Sequence, residues 1–137
     1  MLLCTVSFFS CSDDDNESTN TQVSDIVGIW RTTKIEERTA ANPWENVTEA
    51  CDLDDTEEYS ANGDWALYPG TVTCGSAAVM TGTWELRANN TKVVYTYDGA
   101  SGEYESTVES LGSDTMVLTH SAGDLANTQY RTTYIKD

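Results

Sequence analysis

The sequence predicts an all-β domain, an antiparallel up-and-down barrel of about eight strands, with a β-sandwich as the alternative. From Val27 onward, short runs of β-branched and aromatic residues are separated by Gly, Asn and Asp signals, the pattern of strands joined by turns. Inside those runs apolar residues recur at every second position, which gives each strand one dry and one wet face. No stretch combines helical spacing with caps.

The runs that read as strands are Val27 to Arg38, Thr56 to Ser60, Asp64 to Tyr68, Met80 to Ala88, Lys92 to Asp98, Glu103 to Leu111, Thr115 to Ser121 and Thr128 to Lys136. Their dry faces carry Trp84 with Leu86, Tyr95 with Tyr97, Tyr104 with Val108, Met116 with Leu118, and Tyr130 with Tyr134. The alternate positions, Glu85, Thr96, Glu105, Thr107, Glu109, Thr119, Arg131 and Thr133, are polar, so one side of the sheet should meet water. Ala61-Asn62-Gly63 and Asn89-Asn90 contain residues that tolerate positive φ, and Gly112-Ser113-Asp114 supplies another polar turn, so sequential strands should pair antiparallel. Two longer loops, Thr39 to Asp55 with Pro43 and Pro69 to Val79, flank the same expected hairpin. A meander leaves two open edges, and closing them on each other hides both.

The chain has 137 residues, room for a single core, and its 39% hydrophobic share with 4 Trp and 7 Tyr is enough to fill one. Lys and Arg number 7 against 23 Asp and Glu, a formal net charge of -16 that repels phosphate backbones and argues against nucleic acid as a partner. Residues 1–10 form an apolar run much shorter than the ~20 residues of a membrane-spanning helix, and fit the core of an export signal. Residues 11–24 switch to acidic and small polar side chains and read as a flexible tether, leaving 25–137 for the barrel.

Phe8-Phe9-Ser10-Cys11 resembles a bacterial lipobox, although Phe8 replaces the usual aliphatic residue and no Lys or Arg precedes the apolar run. The resemblance implies that residues 1–10 are a lipoprotein signal peptide and that Cys11 becomes the acylated N-terminus, held at the outer membrane or cell surface. Two or more acyl chains, at ~0.8 kcal/mol per buried methylene, give stable attachment. Ser12-Asp13-Asp14-Asp15 looks like the surface-export signals of Bacteroidetes lipoproteins, and Asp114-Thr115-Met116 resembles the short O-glycosylation sequence of that phylum. Ile26-Val27-Gly28-Ile29-Trp30 and the later Gly82-Thr83-Trp84 resemble the small lipocalin-like domains carried by such lipoproteins, over roughly Val23 to Asp137. That likeness implies a lipocalin-like barrel with Trp30 closing one end beneath the cavity.

Cys4 falls inside the signal, which leaves Cys51 and Cys74 as an even pair in an exported, oxidising setting where a disulfide is expected. It would close a loop of about 22 residues, worth roughly 3 kcal/mol by chain entropy. No Cys-x-x-Cys spacing suggests redox chemistry. Trp30, Tyr59, Trp65, Trp84, Tyr95, Tyr97, Tyr104, Met116, Tyr130 and Tyr134 are the candidate inward set, able either to fill a solid core or to line a cavity for one small molecule.

The acidic cluster Asp52-Leu53-Asp54-Asp55-Thr56-Glu57-Glu58 lacks the spacing of a calcium loop and reads as a solvated acidic loop. His120, the single histidine, reads as an exposed strand-end residue and rules out imidazole-rich metal sites. No metal or cofactor is expected. Arg31, Lys34, Arg38, Arg131 and Lys136 gather on the first and last strands, where pairing with Glu36, Glu37 and the tether is the expected use and a partner surface the alternative.

The sequence shows no Gly-x-Ser-x-Gly elbow, no phosphate-binding Gly loop and no histidine-based triad, so an enzyme is not expected, with a carboxylate-based hydrolase left open. The leading expectation is a noncatalytic, lipid-anchored cell-envelope binding module that holds a small apolar or aromatic ligand, or a glycan fragment, in or at the mouth of the barrel. The alternative is a structural or interaction lipoprotein, an accessory subunit of a surface complex whose protein partner the sequence does not name.

Overall fold

The first and last long strands meet. In the computed structural model, which describes residues 23–40, 42–75, 77–123 and 127–137, β1 (Gly28–Thr39) runs antiparallel to β9 (Thr128–Lys136) from Trp30 opposite Lys136 to Thr39 opposite Thr128. The expected signal, Cys4, Cys11 and the tether as far as residue 22 lie outside the described residues. Between the two strands the chain meanders through β3 (Thr56–Tyr59), β4 (Asp64–Tyr68), β5 (Met80–Arg87), β6 (Lys92–Tyr97), β7 (Tyr104–Leu111) and β8 (Thr115–Ser121), each paired antiparallel with the next. The result is a closed eight-stranded up-and-down barrel, lipocalin-like in architecture, and the sandwich alternative is excluded by the β1–β9 ladder.

Two small elements were not expected. A single helical turn, α1 (Val23–Ile26), begins two residues before the expected barrel boundary, and a two-residue strand, β2 (Glu45–Asn46), pairs with Glu36 and Glu37 of β1 inside the first long loop. Both are too short to produce a periodic signal. α1 exists because tertiary contacts hold it: Ile26 is fully buried, and its carbonyl accepts a 2.7 Å hydrogen bond from Trp30 Nε1.

The turns follow their residue types. Gly63 (φ 91°), Asn89 (φ 55°) and Asn90 (φ 64°) take the left-handed conformations that let a hairpin reverse tightly. A bulge between Thr32 and Lys34 resets the side-chain alternation of β1, so Glu36 pairs with Arg131 on the outer face while Thr32 and Tyr134 pair across the interior. On that outer face Glu36 is bound by Lys34 (2.7 Å) and Arg131 (2.7 Å), and Trp44 lies between the guanidinium groups of Arg38 (4.4 Å) and Arg131 (4.5 Å). Arg31 pairs with Asp137 at 3.1 Å, so these cations are largely spent on neighbours.

One end of the barrel is solid. Trp30, Met116 and Val93 are fully buried there, with Tyr59 and Leu118 almost so, and Tyr59 meets Trp84 edge to face at 5.4 Å. Trp30 closes this end, with Lys136 Nζ 5.0 Å from its ring, as the family resemblance implied. At the other end the long loops are tied together by the Cys51–Cys74 disulfide (Cα–Cα 5.4 Å) and by Asp54, whose carboxylate accepts from the backbone of Thr71 (2.7 Å) and Val72 (3.2 Å).

Gly82 of β5 is required by close approach: a Cβ there would stand 2.1 Å from the Thr96 carbonyl oxygen of β6. Gly82→Ala should therefore force the two strands apart and lower stability by about 1–3 kcal/mol, read as a shift in the urea midpoint at unchanged m-value.

Candidate functional site

Alternation places β3 so that Tyr59 and the residue two before it, Glu57, face inward. Glu57 is the centre of the interior. Its Oε2 accepts hydrogen bonds from Tyr59 Oη (2.7 Å) and Trp65 Nε1 (3.0 Å), and its Oε1 accepts from Tyr134 Oη (2.8 Å). Tyr59 also bonds the Tyr95 hydroxyl at 2.8 Å. Donors from β3, β4 and β9 thus converge on one carboxylate, which answers the question of where buried phenols and an indole find partners.

Above this carboxylate the barrel is hollow. A cavity of about 360 Å³ is lined by Glu57, by the rings of Trp65, Tyr95, Tyr97, Tyr104, Tyr130 and Tyr134, by Leu67, Glu105 and Ser106, and at the mouth by His120 and residues 121–123. Its aromatic wall is continuous: Trp65 meets Tyr95 at 5.5 Å and Tyr97 at 5.2 Å, and Tyr97 meets Tyr104 at 4.6 Å, all edge to face.

Burial pushes the Tyr59 and Tyr134 hydroxyls far above the usual phenol range, and the nearby Glu57 charge adds to it. Tyr95 is raised for the same two reasons. All three therefore remain protonated donors throughout the physiological range. His120 keeps solvent access through the mouth, yet the surrounding walls desolvate it and lower its pKa, with Glu57 pulling more weakly the other way. Near neutral pH it is an uncharged imidazole, 5.7 Å from the Tyr130 ring.

The candidate residues divide between two halves of the barrel. Trp30, Tyr59, Trp84 and Met116 belong to the solid end, whereas Trp65, Tyr95, Tyr97, Tyr104, Tyr130 and Tyr134 line the cavity. Tyr104, expected to point inward, is 52% exposed because it sits on the rim, against Tyr97. His120 lies one residue before the end of its strand and is exposed as expected, but it faces the mouth rather than the outer surface.

The acidic cluster is not one solvated loop. Asp54 and Asp55 cap the facing loop, with Asp55 accepting from Gly70 N at 2.8 Å, while Glu57 enters the barrel. Glu57 was hidden by its acidic neighbours, although its spacing from Tyr59 carried the signal. Thr119, expected on the wet face, is buried beneath Glu109, to which it donates a 2.5 Å hydrogen bond. Among the described residues, Glu49, Cys51 and Cys74 lie close enough to share a metal, but the two sulfurs are joined to each other, leaving a single carboxylate.

The sequence profile of the lipocalin-like domain matches residues 26–118. The chain belongs to the lipocalin-like domain family. Solved structures with the same fold include a lipocalin-like protein from Bacteroides uniformis, 14% identical, with a TM-score of 0.53 over 82% of this chain and 99% of that one. Lobster apocrustacyanin A1 is 13% identical, with a TM-score of 0.51 over 83% of this chain and 62% of its own. Bovine odorant binding protein, solved with a selenium-containing odorant, is 18% identical, with a TM-score of 0.51 over 85% and 73%. No curated protein matches the chain significantly.

In this lipocalin-like domain the internal phenols couple folding to alkaline pH. A hydroxyl whose folded pKa lies above its unfolded value near 10 contributes its stability in full below that value and loses it as pH climbs toward the folded one. The urea midpoint should hold between pH 7 and 9 and fall above pH ~10, and Tyr134→Phe should flatten the fall.

Proposed function

We propose that this lipocalin-like domain is a noncatalytic binding module that takes one small apolar or aromatic molecule into its barrel, and that acyl chains on Cys11 hold it on the cell envelope. The observation that carries the first part is the cavity of about 360 Å³ walled by aromatic rings around one oriented carboxylate. Small-molecule sites are typically concave, mostly apolar and supplied with a few placed polar groups, with volumes upward of about 300 Å³. The complex of bovine odorant binding protein with an odorant is a precedent for a small ligand bound by a protein of this fold. A binding role also fits Glu57, which is engaged by three side-chain donors rather than set against a nucleophile.

The envelope part is supported by the apolar run of residues 1–10, by Ser10-Cys11 and by the acidic segment that follows. Two signals, a diacylated N-terminus and further acylation, would give lasting attachment where a single chain would not.

The neutral dye N-phenyl-1-naphthylamine should bind with one-to-one stoichiometry and a blue-shifted emission. Ser106→Phe, which places a ring in the cavity from the buried β7 wall, should weaken that binding at least about tenfold, a loss of ~1.4 kcal/mol. Dye uptake unchanged by that substitution would place the binding elsewhere and end the cavity reading. For the anchor, cells fed an alkyne-bearing fatty acid should label the wild-type protein in the membrane fraction, and Cys11→Ser should abolish both label and membrane association. Retention of either in the variant would refute acylation at Cys11.

A further inference from the structure

The charge inside the barrel has one sign. Among the described residues Glu57 and Glu105 are the acidic residues that line the cavity, Glu57 alone is hydrogen-bonded there by donors from three strands of the wall, and no Lys or Arg lines that space. The Glu105 side chain, half exposed, is paired with Lys92. His120 at the mouth is neutral near pH 7 because its walls desolvate it. Glu37 adds a second acidic group on the rim, where it accepts from Tyr130.

The three donors to Glu57 do not exhaust it. Oε2 receives two and Oε1 only one, while a carboxylate offers about four acceptor positions. The position left on Oε1 belongs to a residue that lines the cavity. An apolar molecule filling the cavity would strip water from that oxygen and return nothing, and an anion would meet a like charge in a low-dielectric space. A group with N–H donors and a positive charge satisfies both the lone pair and the field. Trp65, Tyr95, Tyr97 and Tyr134, which line the cavity, are the aromatic residue types whose electron-rich rings attract an organic cation.

We infer that the ligand class of this cavity is a compact organic cation, an ammonium group on an apolar or aromatic body, seated with its nitrogen on Glu57 Oε1 and its body against Trp65, Tyr95, Tyr97 and Tyr134. The inference rests on the binding-cavity reading above and narrows it. It also separates this barrel from one that selects ligands by hydrophobicity alone, because such a barrel would bind the neutral form of one body more tightly than its cation, whose charge would be desolvated without a partner.

The test uses three probes with the same ring and chain: 2-phenylethylamine, 2-phenylethanol and phenylacetate, each titrated calorimetrically into the protein at pH 7 and 0.15 M salt, with displacement of N-phenyl-1-naphthylamine as a second readout. The amine should bind at one-to-one stoichiometry about tenfold more tightly than the alcohol, with phenylacetate weakest. Glu57→Gln, which keeps an acceptor for its neighbours, should bring amine and alcohol to within about twofold of each other while the dye still enters.

If the dye enters but the alcohol or phenylacetate equals the amine in the wild-type protein, the cation inference falls and the cavity reading stands. If neither dye nor probe enters, both fall. Weak, multiple-site amine binding that Ser106→Phe leaves unchanged would show attraction to the acidic surface instead, and would likewise overturn the inference. Should Glu57→Gln fail to fold, the wild-type order of the three probes decides the matter by itself.

Discussion

The ladder between β1 and β9 is the contact on which the rest depends. Apart from β1 with β3, a pairing that steps over the two-residue β2, every other strand pairing joins neighbours in sequence, and an open meander of those pairings would leave two long edges and no enclosed space. Joining Trp30 through Thr39 to Lys136 through Thr128 removes the edges and brings Tyr134 of the last strand within hydrogen-bond reach of Glu57 of the third. The interior carboxylate is therefore completed by closure itself: Tyr59 and Trp65 come from one hairpin, but Tyr134 arrives only when the barrel shuts.

The barrel is asymmetric along its axis, and the asymmetry follows from side-chain size. Trp30, Tyr59, Trp84 and Met116 pack together as buried core at the closed end, while at the open end the smaller Ser106 and Leu67 stand among the rings that line the cavity. The seam on the outside is arranged by a different rule. Acidic Glu36 is clamped between Lys34 and Arg131, and Trp44 lies between two guanidinium groups. The bulge at Thr32 makes this possible, since it turns Glu36 outward to face Arg131 instead of into the barrel, where an unpaired carboxylate would be costly.

A single acid inside a very acidic protein is easily overlooked. With 23 Asp and Glu in the chain, most acidic side chains can do no more than hydrate the surface. Glu57 differs in being surrounded by groups that need an acceptor: two phenols and an indole whose donors would otherwise be buried without partners. It organises the cavity wall whether or not a ligand is present, and it supplies the cavity with its polarity.

By itself the sequence determined the strands, their order, the short turns and most of the dry face, because period-two alternation and turn residues are local properties read over a few positions. Asp64 to Tyr68, Thr115 to Ser121 and Thr128 to Lys136 appear in the structure with the same ends as in the sequence reading, and Cys51 and Cys74 are bridged as expected. Only the tertiary structure decided that one half of the barrel is hollow, that Glu57 points into it, that Tyr104 stands on its rim and that β2 and α1 form at all. Those outcomes depend on volumes and partners contributed by strands far apart in the chain. A two-residue strand, a four-residue turn or one carboxylate among many carries no periodic signature until closure brings its partners to it.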